Sequence, residues 1–340
     1  MVAGAISVVA IVAVVESMTT MIRAALNRMV ALACHTGVGR SALHRVARSI
    51  TGDPARSDLM RGRAYNLLAV ATAPSGFLTT TIPIPELPHR PLTVRLDLND
   101  ELSRAWYYCG YDKYEPEVRK VLWQLIKNEN KADAFSVLDV GANLGYFSLY
   151  LGSALAERGS GRVYAFEPSP DVIARLERNL QLNPQLPVTI VEGAVDEKDG
   201  HANLFLAGAD WGHSSASLIE GAVDQVGAVK VRTYSIDSYT VQENLPRVRL
   251  VKMDCEGAEA AALRGMVAVI ARDKPHIVLE LLPRFDNVTQ GILAHSCFDG
   301  YRKFLITAQG LVEHTAFATN YENRDWLVTT DPPCSLIRAA

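Results

Sequence analysis

The chain has 340 residues, 49% of them hydrophobic, which is enough for one large α/β domain and an extension, since domains commonly have roughly 100 to 200 residues. A formal net charge of -3 gives no basic surface of the kind that marks nucleic-acid binding, so nucleic acid is excluded as the expected partner. Five scattered cysteines without a C-x-x-C pair indicate a reducing, cytoplasmic compartment.

The N-terminal segment is apolar or small from residue 2 to residue 15 and is then interrupted by Glu16. At about 1.5 Å per residue this run is too short to cross a hydrocarbon core of about 30 Å. It is compatible with a buried or peripheral helix, with an interfacial anchor, or with translation that begins at Met18 or Met21. We favour an explanation without a membrane, and weak membrane association remains the alternative.

Residues 1–99 are predicted to form an extension. Helical spacing of apolar residues extends over 17–72 and includes a second, basic segment, whose charge is typical of a solvated helix face. From Phe77 onward threonine and isoleucine dominate, and apolar residues then alternate with polar ones up to Leu98. This pattern predicts a small β hairpin that caps the main domain.

Residues 100–340 show strands alternating with helices, which predicts a doubly wound, mostly parallel sheet. Predicted strands span 136–140, 162–166, 188–191, 248–253, 276–281, 301–307 and 326–329. Predicted helices span 115–127, 144–157, 169–183, 258–270 and 288–296. An insertion, residues 198–232, separates the third strand from the fourth.

A glycine-containing turn follows the first of these strands, with the spacing D-x-G-x-x-x-G from Asp139 to Gly145. A dinucleotide fingerprint would need glycine at two positions that hold Asn143 and Tyr146, so binding of NAD is disfavoured. No phosphate-binding P-loop occurs here. The turn therefore indicates a nucleoside ligand without a phosphate requirement.

An acidic residue, Glu167, ends the next strand, where a carboxylate can accept both hydroxyls of one ribose. Asp139 can orient the turn or face the ammonium group of an amino acid. Acids without a lysine in the turn suit S-adenosylmethionine, which carries a cationic sulfonium and no phosphate. We therefore predict this molecule as the cofactor.

Four blocks of sequence resemble the FkbM family of S-adenosylmethionine-dependent methyltransferases, over roughly residues 105–330. They are VLDVGANLGYFSLYLG (137–152), VYAFEPSPDVIARLERNLQLN (163–183), VEGAVDE (191–197) and LVKMDCEGAEAAALRGM (250–266). The fourth, with its D-x-E-G-x-E spacing from Asp254 to Glu259, is the most specific to the family. The resemblance implies a seven-stranded class I methyltransferase sheet, Rossmann-like, whose last strand is antiparallel.

The resemblance also implies roles for individual residues. The glycine turn would surround the methionine half of the cofactor, with Asp139 and Glu115 near its amino group. Glu167 would bind the ribose. The backbone of the VEGAV block would contact the adenine. Glu192 is a weaker candidate for an acid that contacts the adenine amine. The implied cofactor-binding set is Glu115, Asp139, Gly141, Ala142, Asn143, Gly145, Glu167, Pro168, Gly193 and Ala194.

Methyl transfer to a hydroxyl benefits from a base, because the acceptor's proton must leave. Asp254 and His213 are the predicted catalytic residues, and Glu280 is expected to stabilise the site. Asp254 has two alternative roles, orienting the cofactor ammonium or capping a helix, and His213 is equally compatible with a surface loop. Oxygen ligands from Asp254, Glu256 and Glu280 give a weaker alternative of bound Mg²⁺, and no zinc spacing occurs. We predict no metal site.

The expected function is O-methylation of a hydroxyl on a sugar, a glycolipid or a polyketide-type product. Its oxygen specificity comes from the family resemblance alone. The alternative is a noncatalytic or membrane-associated binding module that retains the fold. The acceptor pocket is expected to involve residues 198–232 and the N-terminal extension.

Overall fold

The computed structural model describes residues 76–98, 100–207, 216–222, 225–320 and 323–332. The apolar run at 2–15, the predicted helices of 17–72 and His213 lie outside these ranges. Within the ranges, no helix combines the length and apolar composition needed to cross a bilayer.

An antiparallel hairpin opens the described structure, formed by β1 (Phe77–Ile84) and β2 (Leu87–Asp97). The alternating residues of β2 point their apolar side chains into the large hydrophobic core shared with the main domain. Asn179 of a later helix, and Asn183 just after that helix, accept hydrogen bonds from the backbone of β2. The predicted hairpin is confirmed, whereas a domain boundary at residue 100 stays a prediction.

The remaining strands are β3 (Ser136–Val140), β4 (Arg162–Glu167), β5 (Val188–Glu192), β6 (Ala194–Val195), β7 (Gly200–Ala207), β8 (Ala216–Ser217), β9 (Gln225–Tyr234), β10 (Val248–Met253), β11 (His276–Glu280), β12 (Arg302–Thr307), β13 (Gly310–His314) and β14 (Asp325–Thr329). The helices are α1 (Glu101–Lys113), α2 (Pro116–Asn128), α3 (Tyr146–Arg158), α4 (Pro170–Gln181), α5 (Ile236–Gln242), α6 (Glu259–Arg264), α7 (Val267–Asp273) and α8 (Asp286–Ile292). Short 3-10 turns cover Pro283–Phe285 and Ser296–Phe298.

The central sheet has the strand order β13-β12-β14-β11-β10-β3-β4-β5. Neighbours from β11 to β5 pair in parallel, and β14 is antiparallel to both of its neighbours. The expected antiparallel last strand is therefore present. The expected count of seven is wrong, because after β12 the chain turns back at residues 308–309 and adds β13 antiparallel to the edge. The Thr307 hydroxyl donates to the Gly310 carbonyl and holds this turn.

β3 lies between β10 and β4, which is the point where the strand order reverses. The loops that leave neighbouring strands at such a point diverge, and a crevice opens at the carboxyl ends of the strands. The glycine turn after β3, the acidic end of β4 and the turn after β10 all meet there. Sheet topology thus brings the three most informative sequence blocks to one edge.

The insertion predicted at 198–232 is a second, four-stranded sheet with the order β6-β9-β7-β8. Its long pair, β7 and β9, is antiparallel, while β6 joins β9 in parallel. A small cluster of Ala194, Leu204 and Val231 forms its apolar centre. The insertion is therefore a folded element beside the main sheet.

The single helix predicted at 258–270 is interrupted and forms α6 and α7. The carbonyl of Gly265 accepts hydrogen bonds from the Asp237 backbone N–H and the Ser235 hydroxyl, so it does not continue the helical ladder. A Cβ at Gly265 would also lie 2.1 Å from the Asp196 carbonyl oxygen.

Two other helices differ from the prediction. The helix predicted at 288–296 begins and ends earlier, as α8. Helix α1, which kinks at Gly110, was not predicted.

Candidate active site

Gly141 forms the tightest contact of the turn after β3. Its φ is +84°, and a Cβ there would lie 1.8 Å from the carbonyl oxygen of Asp254. The N–H groups of Gly141 and Ala142 both donate to the Phe166 carbonyl, at 3.1 and 3.0 Å. A side chain is excluded at Gly141 because the backbone of the β10 turn occupies its place.

Glu167 connects this turn to the end of β4. Its Oε2 accepts from the N–H of Asn143 at 2.9 Å, and its Oε1 accepts from the N–H of Ser169 at 2.9 Å. Burial raises the pKa of Glu167 from 4.5 to about 7, although these two hydrogen bonds oppose the rise. Each carboxylate oxygen has a second lone pair, so Glu167 retains acceptor capacity toward a ligand.

Asp139 lies beneath the turn and is 1% exposed. Its Oδ2 accepts from the Ser148 hydroxyl at 2.5 Å, and its Oδ1 has no hydrogen-bond partner within the described part of the chain. Burial raises the pKa of this carboxyl, and the nearby Lys252 ammonium opposes the rise. A buried acceptor without a partner is costly, and it indicates a place for a donor such as an ammonium group.

Lys252 is a buried cation of the candidate site that was not predicted from the sequence. It lies in β10 and is 3% exposed, with its ammonium 2.9 Å from the Asp254 carboxylate and 4.8 Å from the centre of the Phe147 ring. Burial alone lowers a lysine pKa, but attraction to Asp254 and Asp139 outweighs it and raises the pKa of Lys252. A charged residue inside an apolar strand, two positions before Asp254, was the available signal.

Asp254 is engaged on two sides. Burial favours the neutral acid, but the Lys252 ammonium outweighs burial and holds the pKa of Asp254 below its usual range. Its carboxylate also shares a hydrogen bond with Glu280, whose pKa is raised well above the ordinary value by burial and by Asp254. Arg324 contacts Glu280 at 2.8 Å. Asp254 and Glu280 therefore lie between the cations of Lys252 and Arg324.

Glu115 lies directly before α2 in the left-handed conformation, with φ 45°. Burial and the neighbouring Asp325 raise its pKa to about 7, and Lys252 opposes the rise. Glu115 therefore belongs to the same electrostatic network as Asp254. Its contact with a cofactor amino group stays a prediction.

A cleft opens at this edge of the sheet. Six of the predicted site residues line it: Gly141, Asn143, Glu167, Pro168, Ala194 and Asp254. Leu204, Ala216 and Leu218 of the insertion add an apolar wall to the cleft. Residues 198–232 were expected to contribute to a pocket, but these individual side chains were not predicted. Glu256, which the sequence offered as a possible metal ligand, also lines the cleft.

The other predicted site residues support the turn or lie elsewhere. Gly145 has φ +91° and begins α3, and a Cβ there would clash with Leu149 and Leu176. Gly193 packs against the Tyr234 ring and donates its N–H to the Glu167 carbonyl, so a contact with adenine stays a prediction. Across the described ranges, no group of three His, Cys, Asp or Glu residues is arranged to hold a metal ion.

The sequence model of the methyltransferase FkbM domain matches residues 139–308, half of the chain. This chain belongs to the FkbM methyltransferase family. The matched segment begins at Asp139 and contains the glycine turn, the acidic end of β4 and the Asp254–Glu259 block. The FkbM resemblance identified from the sequence is therefore confirmed.

Curated relatives include Methyltransferase 1 of Beauveria bassiana, 28% identical over 214 residues that cover 57% of this chain and 76% of that protein. The 2-O-methyltransferase NoeI of Sinorhizobium fredii is 23% identical over 201 residues, covering 50% and 80% of the two chains. The hexuronic acid methyltransferase AglP of Haloferax volcanii is 26% identical over 131 residues, covering 38% and 48%.

Among solved structures, a methyltransferase FkbM from Methylobacillus flagellatus is 15% identical, with a TM-score of 0.37. The alignment covers 85% of this chain and 58% of that chain.

Proposed function

We propose that this protein transfers a methyl group from S-adenosylmethionine to a hydroxyl of a sugar, a glycolipid or a polyketide-type molecule. The observation that carries the proposal is the cleft in which the Gly141 turn, the Glu167 carboxylate and the Asp254 turn meet. Membership of the FkbM methyltransferase family supports methyl transfer. The choice of oxygen as the acceptor atom is supported by the NoeI relative, whose name describes a 2-O-methyltransferase.

The residues of the cleft fit a cationic cofactor that carries a ribose. Gly141 and Asn143 border the cleft, Glu167 offers free lone pairs to ribose hydroxyls, and the unpaired Oδ1 of Asp139 suits the amino group. The apolar wall of Leu204 and Leu218 gives an aromatic base a surface to pack on. When bound, S-adenosylmethionine supplies an activated methyl group on its sulfonium.

Binding calorimetry tests the cofactor first. We expect S-adenosylmethionine and S-adenosylhomocysteine to bind and NAD not to bind. Glu167→Ala should weaken binding of S-adenosylhomocysteine by about 1.5 to 3 kcal/mol, because charge-assisted hydrogen bonds to the ribose are lost. Glu177→Ala, at an exposed position of α4, is the matched control and should leave binding unchanged. If neither methyl-donor form binds, the proposal fails.

A labelled methyl group tests the acceptor. The full-length protein would be incubated with methyl-labelled S-adenosylmethionine and a panel of neutral methyl glycosides, hexuronic acid glycosides and extracted glycolipids. We expect a labelled methoxy group, which NMR distinguishes from methyl on nitrogen or carbon. Label found only on nitrogen or carbon would contradict the oxygen specificity.

A further inference from the structure

Glu256 occupies a fixed position on the turn that follows β10. Its φ is +52°, a left-handed conformation that non-glycine residues adopt rarely and that is enriched at functional sites. The Ser217 hydroxyl donates to the Glu256 carbonyl at 2.8 Å, and the next residue, Gly257, lies against the Phe285 ring, where a Cβ would be 2.3 Å away. The turn is therefore held from two sides while the Glu256 side chain lines the cleft.

Four other carboxylates around the cleft already have a partner within the protein, although Asp139 and Glu167 also keep free lone pairs. Their partners are Lys252 for Asp254, Arg324 for Glu280, the Ser148 hydroxyl for Asp139, and the N–H groups of Asn143 and Ser169 for Glu167. By contrast, no group in the described part of the chain donates a hydrogen bond to the Glu256 carboxylate or forms an ion pair with it. Its lone pairs are thus available to a molecule in the cleft.

The charges that face Glu256 come from its own turn and from three further elements. Asp254 on its own turn and Glu259 at the start of α6 disfavour its ionised form, while Arg324 beside β14 and Lys252 in β10 favour it. Burial is the largest effect, and the pKa of Glu256 is raised from 4.5 to about 7. Because its pKa is raised, the ionised Glu256 carboxylate is a stronger base than Asp254, whose pKa the Lys252 ammonium holds low.

We propose that Glu256, and not Asp254, accepts the proton of the acceptor hydroxyl during methyl transfer; this inference rests on the proposed O-methylation. In that step the acceptor oxygen forms a bond to the methyl carbon. The bond from this carbon to sulfur breaks, and its electron pair stays on sulfur. The hydroxyl proton passes to the Glu256 carboxylate, which later releases it to water. Asp254 acts as a positioning residue that keeps Lys252 and Glu280 in place.

Kinetics on a hydroxyl acceptor found in the panel above test this assignment. For the wild type, the rate of methyl transfer should rise with pH up to about 7 and then level off, because only the ionised carboxylate accepts a proton. Glu256→Gln should lower kcat by about 100-fold or more and remove this pH dependence. Binding of S-adenosylhomocysteine should change by less than about twofold, and Glu256→Asp should recover part of the rate. Glu177→Gln is the matched control.

Two results would overturn the inference. One is a Glu256→Gln enzyme that keeps the wild-type rate and pH profile. The other is loss of the pH-dependent limb in Asp254→Asn but not in Glu256→Gln. These outcomes differ from failure of the proposed function, in which the wild type itself methylates no hydroxyl in the panel although it binds S-adenosylhomocysteine.

Discussion

Gly141 is held at the point where the turn after β3 passes the backbone of the turn after β10. Its positive φ and the nearby Asp254 carbonyl oxygen are separate obstacles to a side chain, one conformational and one steric. Gly159 has the same φ of +84°, but nothing lies within 4 Å of its Cβ position. Comparison of the two glycines therefore separates the cost of the backbone conformation from the cost of the clash.

We predict that Gly159→Ala destabilises the fold by about 1 to 2 kcal/mol, since only the left-handed conformation is penalised. Gly141→Ala should cost at least about 2 kcal/mol more, since the clash must be relieved by moving two turns. Urea unfolding gives both values, and calorimetry should show loss of S-adenosylhomocysteine binding for Gly141→Ala alone. Equal costs for the two substitutions would contradict the steric role of Gly141.

Lys252 compensates buried negative charge at the same site. We predict that Lys252→Met destabilises the protein by about 3 to 5 kcal/mol at neutral pH, because Asp254 and Asp139 then lose their buried cationic partner. Arg264→Met, which breaks an exposed pair with Glu197, is the control and should cost no more than about 1 kcal/mol. If urea unfolding gave similar losses of unfolding free energy for the two variants, burial of the Lys252 ion pair would not add to its contribution to stability.

At the scale of elements, the inserted sheet is fastened to the active-site turn. The Ser217 hydroxyl of β8 donates to the carbonyl of Glu256, and the Arg284 guanidinium donates to the carbonyls of Gly221 and Ala222. These contacts hold the segment that contributes Ala216 and Leu218 to the cleft wall. The insertion and the D-x-E-G turn therefore act as one unit.

Ser217→Ala is predicted to loosen this unit without unfolding the domain. The cost in global stability should be about 1 kcal/mol, the contribution of one hydrogen bond. Hydrogen exchange should become faster in residues 216–222 and around Glu256, while the central sheet stays protected. Ser160→Ala, which removes a long hydrogen bond to the Lys131 carbonyl outside this unit, is the control. Unchanged exchange at 216–222 would mean that Arg284 alone fastens the segment.

At the scale of the whole molecule, three buried acids influence the pH dependence of stability. Burial raises the pKa of Glu115, Glu167 and Glu256 from 4.5 to about 7. Between these values the folded state binds more protons than the unfolded state, so the free energy of unfolding decreases as pH rises. The stability that these three acids contribute is fully present below the unfolded pKa of 4.5. It is lost as pH rises through the folded pKa of about 7.

We therefore predict that the midpoint temperature of thermal unfolding decreases as the pH is raised from 5 to 8. The triple variant Glu115→Gln, Glu167→Gln, Glu256→Gln should show a flatter profile over this range. Below pH 5 other acids act in the opposite direction, since Glu129 has its pKa lowered to about 2 by His276 and Arg249 despite burial. A wild-type midpoint that rises steadily from pH 5 to pH 8 would contradict the raised pKa values.

Much of the fold was predictable from local pattern. Buried parallel strands are continuous apolar runs, so β3, β4 and β10 could be recognised without their neighbours. The extra strand β13 and the break between α6 and α7 were not predicted, because both depend on contacts with distant residues. For example, α6 ends at Gly265, because the carbonyl of Gly265 accepts hydrogen bonds from residues at the start of α5.

The sequence by itself determined the family, the glycine turn and the acidic end of β4, since these depend on backbone conformation and on residues close together in the chain. Only the tertiary structure decided how the carboxylates divide their roles. Lys252 holds Asp254 in its ionised form, while Glu256 lines the same cleft with its pKa raised. Burial and the distance between charges set these properties, and both arise only when β3, β10 and β14 come together in one sheet.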